Sequence, residues 1–494
     1  MTYFKMPKFN IVPQIMTYLV FALVLFLHPG VSMGAEKKAG WWAKASKPYH
    51  RTVLHGISEN TPASEYIARV LVKKFEMETG IRVELETVSW NDMYDKSIKD
   101  MATKTGRYDF VYVEQDILSV YLTQNYLVNL SLLLKKNSGL ASPQFSFEHF
   151  NSFLNYFRDP ETRDIYGVPI EAFLKVYAYR KDLFEDPDIQ KAFHETYEYP
   201  LAPASTFSQY RDIAEFFTKW GRQNQKKLWG TTLQASIDHA ASFHEFVETI
   251  APSFGVFNWG INMDTWTASV ENGGTLNSKR AKEALTYWVN LLQFSPPGAT
   301  GSTWYEVAAA FAAGQAAQGW IYGENIVWIS TDPRRSKVVG KVGVALPPLY
   351  KGVLEDAKAG RGYIGYYDGG AFGIPSSSKH QEASLLWLQY LGQESVQLDW
   401  SVQAGRIVQN SVLDDPHIQA YDTKTVGYFS FFRNHSRLFA GAPYFPFYTS
   451  MREIVTPYIH QAIRGRMSPG DALDKAATRM DELLSRLKKK GLLQ

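Results

Sequence analysis

Residues 308–325 read AAAFAAGQAAQGWIYGEN, and this stretch decides the fold more than any other part of the chain. Between Leu276 and Pro348, a capped amphipathic helix precedes this stretch and a short strand follows it. The strand lies in the segment VGKVGVALPP at residues 339–348. Its second half is an aromatic turn over residues 319–325. No known catalytic motif runs through this region.

The amino-terminal part of the chain alternates strand and helix signals. Residues 52–57, 81–86 and 110–113 have the apolar patterns of strands. The first intervening helix begins with the N-cap pair Thr61-Pro62 and ends at Gly80, and the second begins at Asn91. This order predicts a parallel sheet.

Three loops follow the carboxyl ends of these predicted strands. They begin at residues 58–59, 90–91 and 114–116. In open parallel sheets ligands bind beyond the carboxyl ends of the strands, so these loops are the first candidates for a binding site.

Several motifs occur in an order that is typical of one family. They are FEMETGIRVELETVSWNDMYDKSIKDMATKTGRYDFVYVEQD at 75–116, YGVPIE at 166–171 with YAYRKDLF at 177–184, FAAGQAAQGW at 311–320, YYDGGAFGIPSSS at 366–378 and AGR at 404–406. Across nearly all of residues 50–485 this order resembles the extracellular solute-binding proteins of ABC transporters, the group that includes the maltose-binding protein. Arg180 stands where the family commonly has asparagine.

The resemblance implies an α/β, two-lobed periplasmic-binding-protein fold of type II, with crossings between the lobes and a ligand cleft between them. We expect residues 1–35 to be a secretory signal peptide. The amino-terminal lobe is then 36–168 plus 371–410, and the carboxy-terminal lobe is 169–370 plus 411–494. Hinges are expected near Pro169, Gly369 and Gly405.

The same resemblance implies a periplasmic component of an ABC importer that binds a carbohydrate or polyol and delivers it to membrane permease subunits. Such ligands need aromatic surfaces for their C–H faces and charged or amide groups for their hydroxyls. The chain has 13 Trp, 29 Tyr and 30 Phe. The ligand-binding residues that we predict are Glu59, Trp90, Asp116, Glu171, Trp320, Tyr322, Gly369, Gly370 and Arg406.

Most of these residues also have a purely structural interpretation. Trp90 can pack against the helix that follows it, Asp116 can cap the helix that begins at Ile117, and Glu171 can form an ion pair between the lobes. The two glycines can serve a hinge turn without any ligand contact, and most arginines are solvated.

The first residues indicate export. Lys5 and Lys8 precede the apolar run Met16–Leu27, a breaker pair and small residues, as in a secretory leader. The apolar run is shorter than the roughly 20 residues that a membrane-spanning helix needs. Because the chain has no cysteine, it has no acceptor for a lipid anchor at the cleavage site, which fits a freely diffusing periplasmic protein. We expect residues 36–48 to form an arm or a segment docked on the surface, with folding beginning near Tyr49.

Other function classes find little support. The 52 basic and 49 acidic residues nearly balance, so nucleic acid is not an expected partner. The segment HEFVE at 244–248 has glutamate where a zinc-protease helix needs its second histidine, and we expect it to be an exposed helix face. We therefore predict a monomer that is not an enzyme and that has neither a cofactor nor a metal site.

Three alternatives remain open. The adjacent Tyr366 and Tyr367 are similar to the phenolate pair of ferric-ion receptors, although two neighbouring strand residues normally face opposite sides of a sheet. A sensing role and a secreted glycan-acting enzyme are the other two.

Overall fold

A computed structural model of the protein describes residues 40–493. Its strands form two separate mixed sheets, and each sheet is the centre of one lobe. The strands are β1 (Val53–Glu59), β2 (Arg82–Val88), β3 (Phe110–Glu114), β4 (Val168–Pro169), β5 (Phe173–Arg180), β6 (Trp229–Thr232), β7 (Ala316–Tyr322), β8 (Val342–Ala345), β9 (Tyr367–Asp368) and β10 (Gly370–Gly373).

The first sheet has the strand order β2-β1-β3-β10-β4. Strands β2 and β3 both run parallel to β1, which confirms the predicted parallel arrangement. Strand β10 returns from the other lobe and pairs antiparallel with β3 and β4. The carboxyl ends of β1 and β3 therefore lie at one edge, as the loop analysis requires.

The second sheet has the order β6-β7-β5-β8, with β9 pairing with the first part of β5. Strand β7 contains the aromatic part of the stretch that opened the sequence analysis, and it is buried along its whole length. It pairs antiparallel with β5 and parallel with β6.

Helices cover both sheets. The α-helices are Pro62–Tyr66, Val72–Thr79, Trp90–Thr103, Leu118–Thr123, Leu130–Lys136, Lys181–Phe184, Pro187–Tyr197, Phe207–Gln223, Ala241–His244, Ala251–Ser253, Lys279–Leu291, Trp304–Ala312, Gly323–Thr331, Val353–Lys358, Gln381–Leu391, Glu394–Ala404, Asn410–Asp414, Pro416–Asp422, Tyr428–His435, Tyr448–Ile463 and Pro469–Lys489.

Two of these helical regions contain a π-helical insert, over Ile67–Leu71 and Glu245–Ile250. The predicted helix signals at the first region are correct, because the Thr61 side chain accepts a hydrogen bond from the Ser64 amide and Gly80 ends the region in the left-handed conformation.

Two chain segments that run between the sheets lie side by side. The amide of Gly370 donates to the carbonyl of Glu171 at 3.1 Å, and the amide of Glu171 donates to the carbonyl of Gly370 at 3.1 Å. Gly369 has a φ of 145°, and a Cβ there would lie 2.0 Å from the Glu171 carbonyl oxygen. Glycine is therefore required where the two segments touch.

The amino-terminal end of the described chain corrects one prediction. Trp42 is only 1% exposed and packs edge-on against Tyr390, with ring centroids 5.4 Å apart. The Ser46 hydroxyl donates to the carbonyl of Thr79 at 2.8 Å. Trp42 and Ser46 are thus buried against the first lobe, whereas Ala43 and Lys44 between them are exposed, so folding does not begin near Tyr49. Leaving a large apolar ring in water costs free energy, so burial of the Trp42 ring is favourable.

The predicted signal peptide, residues 1–35, lies outside the described residues. Within 40–493, none of the helices has both the length and the apolar character that crossing a bilayer demands. The exact boundaries of the two lobes stay a prediction.

Replacing Trp42 with alanine should lower the free energy of unfolding by about 3 to 5 kcal/mol, because it empties a buried aromatic site. The half-buried neighbour Trp41 provides the matched control, and Trp41→Ala should cost clearly less. Urea unfolding followed by circular dichroism measures both values. Equal costs would contradict the assignment of Trp42 to the core.

Candidate functional site

A cavity of about 90 Å³ lies between the two lobes, where the loops after β1 and β3 face the second sheet. Both segments that run between the sheets contribute to its wall. Its lining residues are Glu59, Thr61, Trp90, Tyr112, Glu114, Asp116, Glu171, Phe173, His244, Glu248, Trp304, Tyr322, Glu324, Tyr366, Asp368 and Arg406. Seven of them carry a carboxyl group and six carry an aromatic ring, so the wall combines acidic groups with flat surfaces.

The first lobe supplies acidic groups from the ends of its parallel strands. Glu59 is the last residue of β1, and Glu114 is the last residue of β3. The indole Nε1 of Trp90 donates to Oε1 of Glu114 at 2.7 Å, which fixes both side chains in the wall. Asp116 is 3% exposed, and its Oδ1 has no hydrogen-bond partner. It does not cap the following helix, whose N-cap is Ile117 without a side-chain bond.

The crossing segments add a paired carboxylate. Glu171 accepts a hydrogen bond from the Tyr112 hydroxyl at 2.7 Å, and its Oε1 forms an ion pair with Nε of Arg406 at 3.1 Å. Both charged residues are buried, at 6% and 7% exposure. The ion-pair interpretation of Glu171 is thus present in the structure, and the pair itself lines the cavity.

The second lobe contributes His244 and Glu248, whose Nδ1 and Oε1 atoms lie 2.7 Å apart. The other ring nitrogen of His244, Nε2, lies 3.4 Å from the Tyr448 hydroxyl. His244 is 8% exposed and Glu248 is 2% exposed. The expectation that residues 244–248 form an exposed helix face is wrong, because the π-helical insert carries this segment into the cavity wall.

The end of β7 places two more groups. Tyr322 is the last residue of the strand, and Glu324 is in the first turn of the helix Gly323–Thr331. Oε1 of Glu324 accepts a hydrogen bond from the side-chain Nδ2 of Asn325 at 2.7 Å, whereas its Oε2 is buried without a hydrogen-bond partner.

Burial changes the protonation of the acidic groups. Burial, with the nearby charge of Glu171, raises the pKa of Glu59 to about 8. Burial raises the pKa of Glu324 to about 7, although Arg406 opposes the shift. Burial and the charge of Asp116 also raise the pKa values of Glu114 and Glu248 well above their usual range.

Two further groups follow the same rule. The pKa of Asp116 is raised by burial, and that of Asp368 is raised well above its ordinary value by burial and by Glu248. Burial lowers the pKa of His244 to about 4, so this ring stays neutral near pH 7. Burial therefore favours the protonated form of these carboxyl groups in the cavity wall.

Six of the nine predicted site residues line the cavity together: Glu59, Trp90, Asp116, Glu171, Tyr322 and Arg406. Trp320 does not line it. This residue lies within β7, two positions before the strand ends, and stacks on Tyr210 with ring centroids 4.4 Å apart. The predicted strand end was placed too early, so a ring that fills the core was taken for a site residue.

Gly369 and Gly370 lie beside the cavity without lining it. The side-chain direction of Gly369 points at the Glu171 carbonyl, and that of Gly370 points at the Tyr112 ring, 2.2 Å from a built Cβ. The small size of Gly369 therefore serves the contact between the two crossing segments, and that of Gly370 leaves room for the Tyr112 ring of β3.

The sequence analysis missed ten lining residues as site candidates, although it gave signals for several. The i, i+4 pair His244 and Glu248 was noticed as a motif, and Glu114 belongs to a candidate loop. Tyr366 lines the cavity, whereas Tyr367 packs against Phe153 at 4.9 Å, so the two adjacent phenols do not form a joint clamp. Thr61, Tyr112, Phe173, Trp304, Glu324 and Asp368 gave no separate signal.

The cavity opens toward a wider groove of about 370 Å³, which we call the outer groove. The two spaces share Glu59, Thr61, Trp90, Trp304, Glu324 and Arg406. Its outer rim includes Trp328 and Arg335, whose guanidinium lies 4.2 Å from the indole centroid. The six shared residues join this groove to the cavity.

A search against protein-family models matches residues 58–398 to the bacterial extracellular solute-binding proteins. This match covers more than half of the chain and includes the loops after β1 and β3, both crossing segments and the end of β7.

Solved structures of similar fold are solute-binding proteins of ABC transporters. The maltose-bound MalE3 of T. maritima has a TM-score of 0.70 at 19% identity and covers 87% of this chain and 100% of its own. A ribitol complex from Agrobacterium radiobacter K84 has a TM-score of 0.68 at 20% identity, covering 88% and 99%. A D-mannitol complex from Agrobacterium vitis S4 has a TM-score of 0.68 at 19% identity, covering 90% and 99%. At these identities the likeness establishes the two-lobed fold.

The raised pKa values predict that the ligand-free protein loses stability as pH rises. A carboxyl group with a raised folded-state pKa binds its proton more tightly in the folded protein. Its contribution is complete below the ordinary pKa of 4.5 and is lost as pH rises through about 7 for Glu324 and about 8 for Glu59. The melting temperature should therefore fall between pH 5 and pH 8.5.

Glu59→Gln should flatten this dependence and raise the free energy of unfolding at pH 8.5 by on the order of 1 to 3 kcal/mol. Differential scanning calorimetry across the pH range checks both statements. The control is Glu195→Gln, which changes an exposed carboxylate and should leave the slope unchanged. A Glu59→Gln protein with the wild-type slope would contradict the assignment.

Proposed function

The chain belongs to the bacterial extracellular solute-binding protein family, and from that premise we propose that it is the substrate-binding component of an ABC importer. Its ligand is a small carbohydrate or polyol, which it captures between the lobes and delivers to the membrane permease. Binding is its whole role, and no bond of the ligand is broken.

The observation that carries this proposal is the composition of the cavity between the lobes. Trp304, Phe173 and Tyr322 offer flat surfaces to the C–H faces of a ring or a polyol chain. The carboxyl groups, together with Arg406, offer acceptors and donors to the hydroxyls. The solved structures of similar fold hold ribitol, D-mannitol and maltose, which are ligands of this class.

The size of the cavity favours a compact ligand. A volume of about 90 Å³ compares with the ~10 to 15 Å³ that one water molecule needs on the same measure. The cavity therefore holds several water-sized groups, which fits a monosaccharide or a short polyol better than a long oligosaccharide. A larger ligand would have to extend into the outer groove.

Closure of the lobes supplies the signal to the permease. Groups from both lobes line the cavity, so a ligand that contacts Glu59 on one side and Glu324 on the other stabilises the closed state alone. The crossing segments at Glu171 and Gly369, and the left-handed turn at Gly405 with φ of 70°, are where the backbone would rotate. This differential affinity shifts the population toward the closed form.

The family operates outside the cytoplasm. Within that compartment, the predicted leader over residues 1–35 and the absence of cysteine favour a soluble periplasmic monomer without a lipid anchor. Membrane permease subunits are then its protein partners.

A ligand should raise the melting temperature of the purified protein. At one hundred times its dissociation constant a ligand adds ~2.7 kcal/mol to the free energy of unfolding. A thermal-shift screen of monosaccharides, oligosaccharides and polyols, followed by calorimetric titration of each hit, identifies it. A screen in which no sugar or polyol raises the melting temperature would overturn the ligand class.

Trp304→Ala should weaken the binding of a hit about tenfold, since an aromatic contact contributes ~0.5 to 1.5 kcal/mol beyond the area that it buries. Trp304 is half-buried and lines both the cavity and the outer groove. The matched control is Trp220→Ala, a half-buried tryptophan outside the cavity wall with Lys226 Nζ 4.5 Å from its ring. Calorimetric titration should find wild-type affinity in the control and weaker binding in Trp304→Ala; similar affinities in the two would argue against ring stacking.

A further inference from the structure

The cavity is more acidic than a site for neutral hydroxyls requires. Seven carboxyl side chains line it, and Arg406 is its only lining cation among the described residues. Arg406 is already paired with Glu171 at 3.1 Å. His244 adds no charge near pH 7, because burial lowers its pKa to about 4.

Two further cations lie behind the wall. Lys175 forms a buried ion pair with Glu245, and its Nζ lies 4.4 Å from the centroid of the Tyr322 ring. The guanidinium of Arg452 lies 5.0 Å from the Trp90 centroid, on a side chain that is not part of the cavity wall. Neither cation enters the cavity, so its carboxyl groups still outnumber the positive charges around them.

One end of the cavity has an unused acceptor. Asp116, His244 and Glu248 place one ligand atom each within 4.8 Å of one another, and we call them the Asp116 cluster. Oδ1 of Asp116 is buried and has no hydrogen-bond partner. A buried acceptor without a donor is costly, and a ligand that brings N–H groups to this point would remove that cost.

We infer that the ligand carries a positively charged amino group, seated on the Asp116 cluster, on a sugar or polyol frame that fills the rest of the cavity. This inference rests on the proposed function and names the ligand class more closely. The ammonium donates to Oδ1 of Asp116, and its positive charge favours the ionised form of the neighbouring Glu248 carboxyl group. Tyr366, which lines the same cavity, presents an aromatic ring of the kind that attracts cations.

A metal ion fits this end less well. Both ring nitrogens of His244 face protein groups, Nδ1 toward Glu248 at 2.7 Å and Nε2 toward Tyr448 at 3.4 Å. Neither nitrogen is free to coordinate a metal without breaking a contact. An organic cation also suits the aromatic rings of the lining.

Matched compounds that differ only at one nitrogen test the inference. The first set is D-glucose, D-glucosamine and N-acetyl-D-glucosamine, and the second is sorbitol and 1-amino-1-deoxysorbitol. Calorimetric titration at pH 7.5 should give the amine of a set a dissociation constant at least about tenfold lower than those of its neutral partners, as expected for a hydrogen bond to a charged group. The hydroxyl of the neutral parent is close in size to the amino group, so that comparison isolates the charge, whereas N-acetylation removes the charge and adds bulk.

The variant Asp116→Asn should reduce this preference, which is the ratio of the two dissociation constants within a set, to less than about threefold, whatever it does to either affinity. Asp264→Asn, at an exposed aspartate that does not line the cavity, is the control and should keep the full preference. Because the wild-type comparison already decides the question, a misfolded Asp116→Asn protein leaves the test intact.

Each outcome has a definite meaning. Tighter binding of an amine supports the inference. Binding of D-glucose or sorbitol with no gain from the amino group overturns it and leaves the proposed function standing. Stabilisation by Ca²⁺ or Zn²⁺ alone, lost in Asp116→Asn and unmatched by any amine, overturns it in favour of a metal ion. If neutral sugars, polyols, amines and metal ions all fail to bind, this inference and the proposed function fall together.

Discussion

Carboxyl groups from both lobes meet in one small cavity, and the neutralisation of their charge constrains everything else about the site. Glu59 and Asp116 come from the first sheet, whereas Glu248 and Glu324 come from the second lobe. Like charges this close cannot all stay ionised in a buried place, so they must hold protons or share a cation. A bound solute is the natural partner, since Arg406 is committed to Glu171. In the function that we propose, the electrostatics of the site and its binding of a solute are thus two aspects of one arrangement.

The backbone makes this meeting possible. Parallel strands bring the loops after β1 and β3 to one edge of the first sheet, and the two crossing segments hold the second lobe opposite that edge. The two crossing segments can lie side by side because Gly369 adopts a φ of 145° next to the Glu171 carbonyl. Only glycine combines that conformation with so close an approach. The same residues therefore join the lobes and position Glu171 and Asp368 in the cavity wall.

The sequence predicted the architecture better than the site. Alternating strand and helix signals, with Thr61 as a cap and Gly80 as a stop, specify local structure directly, so the first sheet was predicted correctly. Loop position also led to Glu59 and Asp116, because the carboxyl ends of parallel strands share an edge. These inferences depend only on nearby residues.

The predictions that were wrong depend on contacts between residues that are far apart in the sequence. Trp320 and Tyr322 are aromatic residues two positions apart in the sequence. Trp320 lies inside β7 and stacks on Tyr210 in the core, whereas Tyr322 is the last residue of β7 and lines the cavity. His244 and Glu248 were assigned to an exposed face because their neighbours do not reveal a π-helical insert. Trp42 joins the core through Tyr390, more than three hundred positions away in the sequence. Periodicity carries no information about such partners.

Because the chain has no cysteine, two spin labels placed on introduced cysteines measure the movement of the lobes directly. Glu65 and Arg334 are exposed positions in the first and second lobes, near opposite sides of the outer groove, and their replacement with cysteine leaves the cavity wall intact. Pulsed electron spin resonance then gives the distance between the labels with and without a saturating sugar or amine. A shorter and narrower distance distribution on binding is the result that this account predicts. An unchanged distribution at a ligand concentration that saturates the calorimetric titration would contradict it.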